Sequence, residues 1–181
     1  MEVIYIILIL VFLLGILGML YIHYYNDLQY LKTKIEQSEG IIDEVLRERY
    51  DIVVRTSDII KTHLKEKKDY FKEYIALKEE KISNFDMDRK LREAANIILN
   101  LKNDYPDLQK NEGMKEISRD LNRTTEKLTA SIAYYNRYTN ELNEMIRRFP
   151  SNCIAKVHHF QIKPFFDGKD MNDDDLLDFK L

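Results

Sequence analysis

Between residues 3 and 22 the chain carries no charge, amide, histidine or proline. About 20 consecutive apolar residues in a helix cross the hydrocarbon core of a bilayer, so this run is read as a transmembrane helix. It divides the chain between two solvents. Glu2 is the only charge before it, and no small-residue cleavage motif follows. A secretory signal would show a basic start and such a site, so the segment is expected to be an uncleaved anchor. Tyr21, His23, Tyr24 and Tyr25 come next, residue types suited to the headgroup layer. With no cysteine near the segment, a lipid-modified N-terminus is not expected.

Lys32 and Lys34 follow the span and no lysine or arginine precedes it. Cationic residues are retained on the cytoplasmic side, which favours a short outer N-terminus and a cytoplasmic C-terminal domain. The opposite orientation stays open at this point. Cys153 is the lone cysteine, so an internal disulfide is ruled out and neither compartment is excluded.

The remainder is strongly charged, and the 181 residues include only five Gly and three Pro. Long helices need few turn residues, whereas a β-protein needs many. Leu28, Leu31, Ile35, Ile42, Val45 and Leu46 begin a stripe that Tyr50, Val53, Ile60, Leu64, Phe71 and Ile75 continue. Spacings of three and four place them on one helix face, and with no proline before Pro106 a single helix is predicted as far as about residue 82. Asn84 or Asp86 is expected to cap a second helix with Leu91, Ala94, Ala95, Ile98 and Leu101 on its inner face. Tyr105-Pro106-Asp107 ends it.

Asn111 can cap a third helix, with a seam from Met114 through Ile117, Leu121, Thr124, Leu128, Ile132, Tyr135, Thr139, Leu142 and Ile146 to Phe149. A seam of about 50 Å needs an equally long partner. The expected fold is therefore all-α: an N-terminal transmembrane helix continuing into an antiparallel bundle of three to four long helices. Its divisions are the span at 3–22, the bundle at 24–150, a bundle-docking segment at 151–166 and an acidic mobile tail at 167–181. Val157, Phe160, Ile162, Phe165 and Phe166 are apolar enough to dock on the bundle or on the membrane surface.

Candidate chemistry is sparse. His23, His63, His158 and His159 lack the i, i+4 spacing of a helical metal pair, so no metal is expected. Cys153 has no motif around it and reads as a small apolar residue; a catalytic thiolate needs a lowered pKa and a partner base. Asp167 to Asp175 lack the register of a calcium loop, although Leu176-Leu177-Asp178-Phe179 is a candidate docking motif. Lys65, Lys67 and Lys68 are interrupted by Glu66, and with a net charge of −3 nucleic acid is not an expected partner. Tyr134, Tyr135 and Tyr138 read as helix-interface residues. No glycine-rich phosphate loop is present, and no cofactor is expected.

The order of these features resembles the LemA family of bacterial membrane proteins. Tyr25-Asn26-Asp27-Leu28 resembles the family's entry into its first soluble helix. Ile42-Asp43 and Arg47-Glu48-Arg49-Tyr50-Asp51 are similar to its Ile-Asp and Arg-Arg-Tyr-Asp segments. Tyr105-Pro106-Asp107-Leu108, with Asn111, resembles its central turn. Tyr135-Asn136, Asn143 and Phe149-Pro150-Ser151-Asn152 resemble the end of its third helix, and Phe160 with Phe165-Phe166 its terminal aromatics. Val54 stands where the family has a proline and Thr125 where it usually has a glutamate; the loop before the second helix is short.

The resemblance implies a single-pass membrane protein with a helical bundle and no enzyme activity. Recurring amides, phenols and charges have a non-catalytic use, since polar residues bonded across helices fix their register. Asn26, Asp43, Arg49, Tyr105, Tyr135 and Asn136 are the candidates for that role. The expected function is a membrane-anchored scaffold or adaptor working through protein–protein contacts. The alternative is a sensor of membrane stress or of a ligand that passes a packing change through the transmembrane helix. Expected partners are the lipid bilayer and membrane or cytoplasmic proteins, with homo-oligomerisation possible. Gly15 and Gly18 do not form a GxxxG pair.

Overall fold

The apolar run and the first amphipathic stripe form one continuous helix, α1 (Glu2–Leu64), in a computed structural model that describes residues 1–64, 69–79 and 82–166. After it come α2 (Lys72–Ala76), which tightens into a 3₁₀ turn at Leu77–Glu79, then α3 (Asn84–Asp104), α4 (Pro106–Lys110), α5 (Glu112–Arg147) and α6 (Ser151–Val157). The fold is all-α, with no strand among the described residues. The acidic tail, the 176–179 motif and the Lys65–Lys68 patch lie outside the described residues.

The chain divides into two compact units, Ser38–Tyr134 and Met1–Gln37 with Tyr135–Leu181. In the first, α1 buries Ile42, Val45, Leu46, Ile52, Val53 and Ile60; α3 buries Leu91, Ala94, Ile98 and Leu101; α5 buries Met114, Ile117, Leu121 and Leu128. Arg55 of α1 reaches Asp120 of α5 at 3.0 Å, and Lys127 of α5 reaches Glu48 of α1 at 3.4 Å. The pairing runs backwards along one helix as it runs forwards along the other, so the two are antiparallel. In the second unit Leu28, Leu31, Ile35, Tyr135, Leu142, Ile154 and Ala155 are buried.

Three boundaries differ from the sequence reading. The first helix ends at Leu64 rather than near residue 82. Beyond it the buried residues are Phe71, Tyr74 and Leu77, spaced three and three. They belong to the separate short helix α2 and the 3₁₀ turn that follows it, and Asp69 starts the new turn by accepting from the Phe71 amide at 3.2 Å. Ser83, not Asn84 or Asp86, caps α3: its Oγ accepts from the Asp86 amide at 3.1 Å and donates to the Asp86 carboxylate at 2.8 Å. Asp86 thus completes a reciprocal cap from the third helical position. Finally, Phe149 is 77 % exposed and leaves the α5 seam, because α5 stops at Arg147.

Asn111 does cap α5, its Oδ1 accepting from the Met114 amide at 3.1 Å. Its Nδ2 faces His63 Nε2 at 2.9 Å, while His63 Nδ1 lies 2.9 Å from the Ile59 carbonyl. An amide NH₂ donates and a carbonyl accepts, so these contacts place the imidazole proton on Nδ1. One asparagine therefore joins the start of α5 to the end of α1.

Candidate functional site

In the unit Ser38–Tyr134 two charged residues occupy the apolar stripes. Arg49 continues the α1 series Ile42, Val45, and Asp88 precedes Leu91 on the buried face of α3; they are 2 % and 5 % exposed. Their side chains meet at 3.1 Å, Nη1 to Oδ1. The other carboxylate oxygen of Asp88 is bound by Arg92, with Nε at 2.9 Å and Nη2 at 2.8 Å. Arg49 Nη2 donates to Thr125 Oγ1 at 2.8 Å, and that hydroxyl donates in turn to the Leu121 carbonyl at 2.7 Å. Arg49 thereby touches both α3 and α5.

Burial holds the Arg49 guanidinium below its ordinary pKa; Asp88 opposes this and nearby Arg92 adds to it. Arg49 Nε has no partner among the described residues. Two cations face one carboxylate, and Thr125 supplies a neutral acceptor where the family resemblance implies a glutamate.

Beside this network lies an open cleft of about 430 Å³, lined on one side by Asp43, Leu46, Arg47 and Tyr50 of α1. Asp43 and Arg47 pair at 2.9 Å, one helical turn apart. The Tyr50 hydroxyl donates to the Ile75 carbonyl at 2.9 Å, and burial, with Asp51 and Glu79 nearby, raises its pKa. Tyr50 thus ties α2 to α1, while Asp43 and Arg47 are engaged with each other on α1. Among the described residues no group of three or more His, Cys, Asp or Glu is placed to hold a metal ion.

In the other unit α5 receives the segment after α6. Asn136 Oδ1 accepts from the Phe166 amide at 2.8 Å, and the Tyr135 hydroxyl donates to the Pro164 carbonyl at 3.0 Å. Asn143 Nδ2 donates to the Lys163 carbonyl at 2.8 Å and its Oδ1 accepts from the Lys163 amide at 2.9 Å. Asn136 and Asn143 stand two turns apart, about 10 Å. The three residue-to-residue steps from Lys163 to Phe166, if extended, span about the same distance. The two asparagines therefore match the reach of the segment they hold.

Of the six sequence candidates, Arg49 lies in the buried network, Asp43 on the cleft, and Tyr135 and Asn136 on the C-terminal segment. Tyr105 is half-buried at the α3–α4 turn and Asn26 is exposed on α1. Asp88 and Asn143 were not among the candidates. Asn143 has a legible signal, the two-turn spacing from Asn136; a carboxylate such as Asp88 on an apolar stripe has no local signal. Cys153, expected to pack as an apolar residue, is exposed. His158 accompanies Tyr21 and Tyr25 instead: its Nε2 hydrogen-bonds the Tyr21 hydroxyl, and its ring centroid lies 4.6 Å from that of Tyr25.

The model of the LemA family matches residues 38–177. The chain belongs to the LemA family. The match takes in Arg49, Asp88, Asn143 and the segment after α6, and begins after the apolar run. The LemA family is not a known enzyme family. No curated protein and no solved structure matches the chain. Among the described residues of this LemA-family chain one helix, α1, is long and apolar enough to cross a membrane, and none of its most apolar window is buried.

Proposed function

We propose that this LemA-family protein is a non-catalytic, membrane-anchored scaffold or adaptor whose helical bundle works through protein–protein contacts. One observation carries the reading. On α1 every large side chain over residues 3–22 is exposed, while the same helix buries Leu28, Leu31 and Ile35. Leaving a leucine-sized side chain in water forgoes at least about 1.5 kcal/mol, and so many of them would outweigh a domain stability of about 5–15 kcal/mol. A bilayer removes that conflict. The polar groups of the bundle bond to one another and to backbone, which suits a rigid platform better than a reaction centre.

Lys32 and Lys34 support a cytoplasmic bundle. Single cysteines at position 2 and in the tail, each in a Cys153→Ser chain, should differ in reaction with a membrane-impermeant thiol reagent on intact cells. Position 2 should label and the tail should not; the reverse pattern places the bundle outside. Proximity labelling then tests the adaptor role, with specific partners expected for the intact chain and lost when the bundle is disrupted. Identical, non-specific lists would end that reading.

The continuity of α1 favours a second reading, a sensor of membrane stress or of a ligand. Cysteines along residues 24–35 should then change their crosslinking pairs under osmotic stress; invariant pairs count against it.

A further inference from the structure

We propose that the turn after α5 and the outer face of α6 form a second membrane contact, resting on the headgroups of a bilayer that contains anionic lipid. The inference rests on the reading that α1 spans the membrane. Residues 145–166 contain Arg147, Arg148, Lys156 and Lys163 and no carboxylate, in a chain whose net charge is negative. A basic stretch of this kind is attracted to an anionic surface by about 1 kcal/mol for each cation near it.

The geometry places this stretch at the membrane surface. His158, directly after α6, bonds Tyr21 and packs against Tyr25. Tyr21 is the penultimate residue of the apolar run, so the end of α6 lies where α1 leaves the hydrocarbon. The α6 helix is only about 10 Å long, which keeps its start and the Phe149 turn within the same layer.

The faces of α6 are sorted to match. Ser151, Ile154 and Ala155 are buried, whereas Cys153, Lys156 and Val157 are exposed. Val157 is 67 % exposed and Phe149 is 77 % exposed. In water two such apolar side chains gain nothing from standing out. In the headgroup layer they enter the acyl boundary while Arg147 and Lys156 extend to phosphates. Arg147 and Lys156 make no ion pair among the described residues. Arg148 lies on a cleft with Asp27, Glu141 and Glu144, so part of its charge is offset within the protein. The occupant favoured by this sorting is a lipid surface, because aromatic, aliphatic and cationic groups alternate at the level of the span.

The lone Cys153, exposed on that face, is a native position for a fluorophore. The full chain labelled there is reconstituted in nanodiscs of phosphatidylcholine, with or without phosphatidylglycerol, and quenched by lipid carrying a shallow spin label. Quenching should occur in both and rise at least about twofold with the anionic lipid. Arg147→Glu with Lys156→Glu should remove the rise without changing helicity. A label at position 12, from Phe12→Cys in a Cys153→Ser chain, should be quenched by deep spin labels in either bilayer. Quenching at position 12 with none at Cys153 overturns the second contact and leaves the span intact. Absence at both overturns the span as well. A fluorescence shift at Cys153 without lipid quenching assigns the face to protein, a second copy or the chain's own acidic end, and overturns the proposal.

Discussion

Asn143 holds the backbone of Lys163 from both sides, donating to its carbonyl at 2.8 Å and accepting from its amide at 2.9 Å. A single primary amide thus does what a neighbouring strand does for an extended residue, offering one donor and one acceptor in register. It is fully buried on α5, so neither of its bonds is readily replaced by water.

Asn143→Leu keeps the volume and deletes both bonds. The part-buried backbone groups of Lys163 lose these two bonds, at a cost of about 1–3 kcal/mol. The loss should be local, with faster amide exchange over residues 160–166 and little change in helices elsewhere. Asn143→Asp retains the acceptor but turns a carboxylate oxygen toward the Lys163 carbonyl, so it should also free the segment. Unchanged exchange in both variants would show that Asn136 and Tyr135 suffice.

Arg49 and Asp88 call for a double substitution. Asp88→Asn leaves a buried guanidinium without its counter-charge, and breaking such a pair costs about 3–5 kcal/mol. Arg49→Met alone strands Asp88 in the same way, although Arg92 keeps part of its carboxylate satisfied. Joined as Arg49→Met with Asp88→Leu, the change removes both desolvation costs and should restore most of the stability. Thermal unfolding of the purified chain decides it: a double variant no more stable than Asp88→Asn would show that the network contributes more than pairing.

The seams on α1 and α5 were legible because helix periodicity depends only on spacing, and the same is true of the cap at Asn111. Other features depend on what lies across the fold. Phe71 and Ile75 look like a continuation of the first stripe; Phe71 is buried, yet its buried companions on the separate short helix are Tyr74 and Leu77 rather than Ile75. Asp88 looks solvated by type and is buried because Arg49 reaches it from α1 and Arg92 from the next turn of α3. Phe149 fits the α5 register and is exposed because α5 ends before it. Among the site residues, Tyr135, Asn136 and Asn143 all lie on the stretch of α5 that carries the family resemblance, while the groups they hold lie twenty to thirty residues further on.

Alkaline pH should weaken the unit that holds α2. Burial raises the pKa of Tyr50 and of Tyr74 above the ordinary 10.0, with Asp51 and Glu79 adding to the first and Glu93 and Glu73 to the second. A phenol whose pKa is raised in the folded state contributes its stability in full below the unfolded value. That contribution is lost as pH rises from about 10 through the folded value. Tyr50 ionisation also removes the proton donated to the Ile75 carbonyl. The melting temperature should therefore fall above about pH 10. Tyr50→Phe with Tyr74→Phe should be less stable at neutral pH and should fall less steeply; an equal slope would assign the alkaline loss to other groups.

His159 offers the clearest stabilising change. It has φ of 56°, in the left-handed region that side chains with a Cβ enter at a cost of about 1 kcal/mol or more. Its position explains why: the His159 amide donates to the Lys156 carbonyl at 3.3 Å and the Phe160 amide to the Ala155 carbonyl at 2.9 Å, the paired bonds that close a helix C-terminus. Glycine meets that conformation without steric cost, although it loses more entropy on folding. His159→Gly should accordingly stabilise by about 0.5–1 kcal/mol, a rise of roughly 2 °C in melting temperature. His159→Ala retains the Cβ and should give no gain. Equal effects from glycine and alanine would mean that loss of the imidazole, not relief of the backbone, accounts for the change.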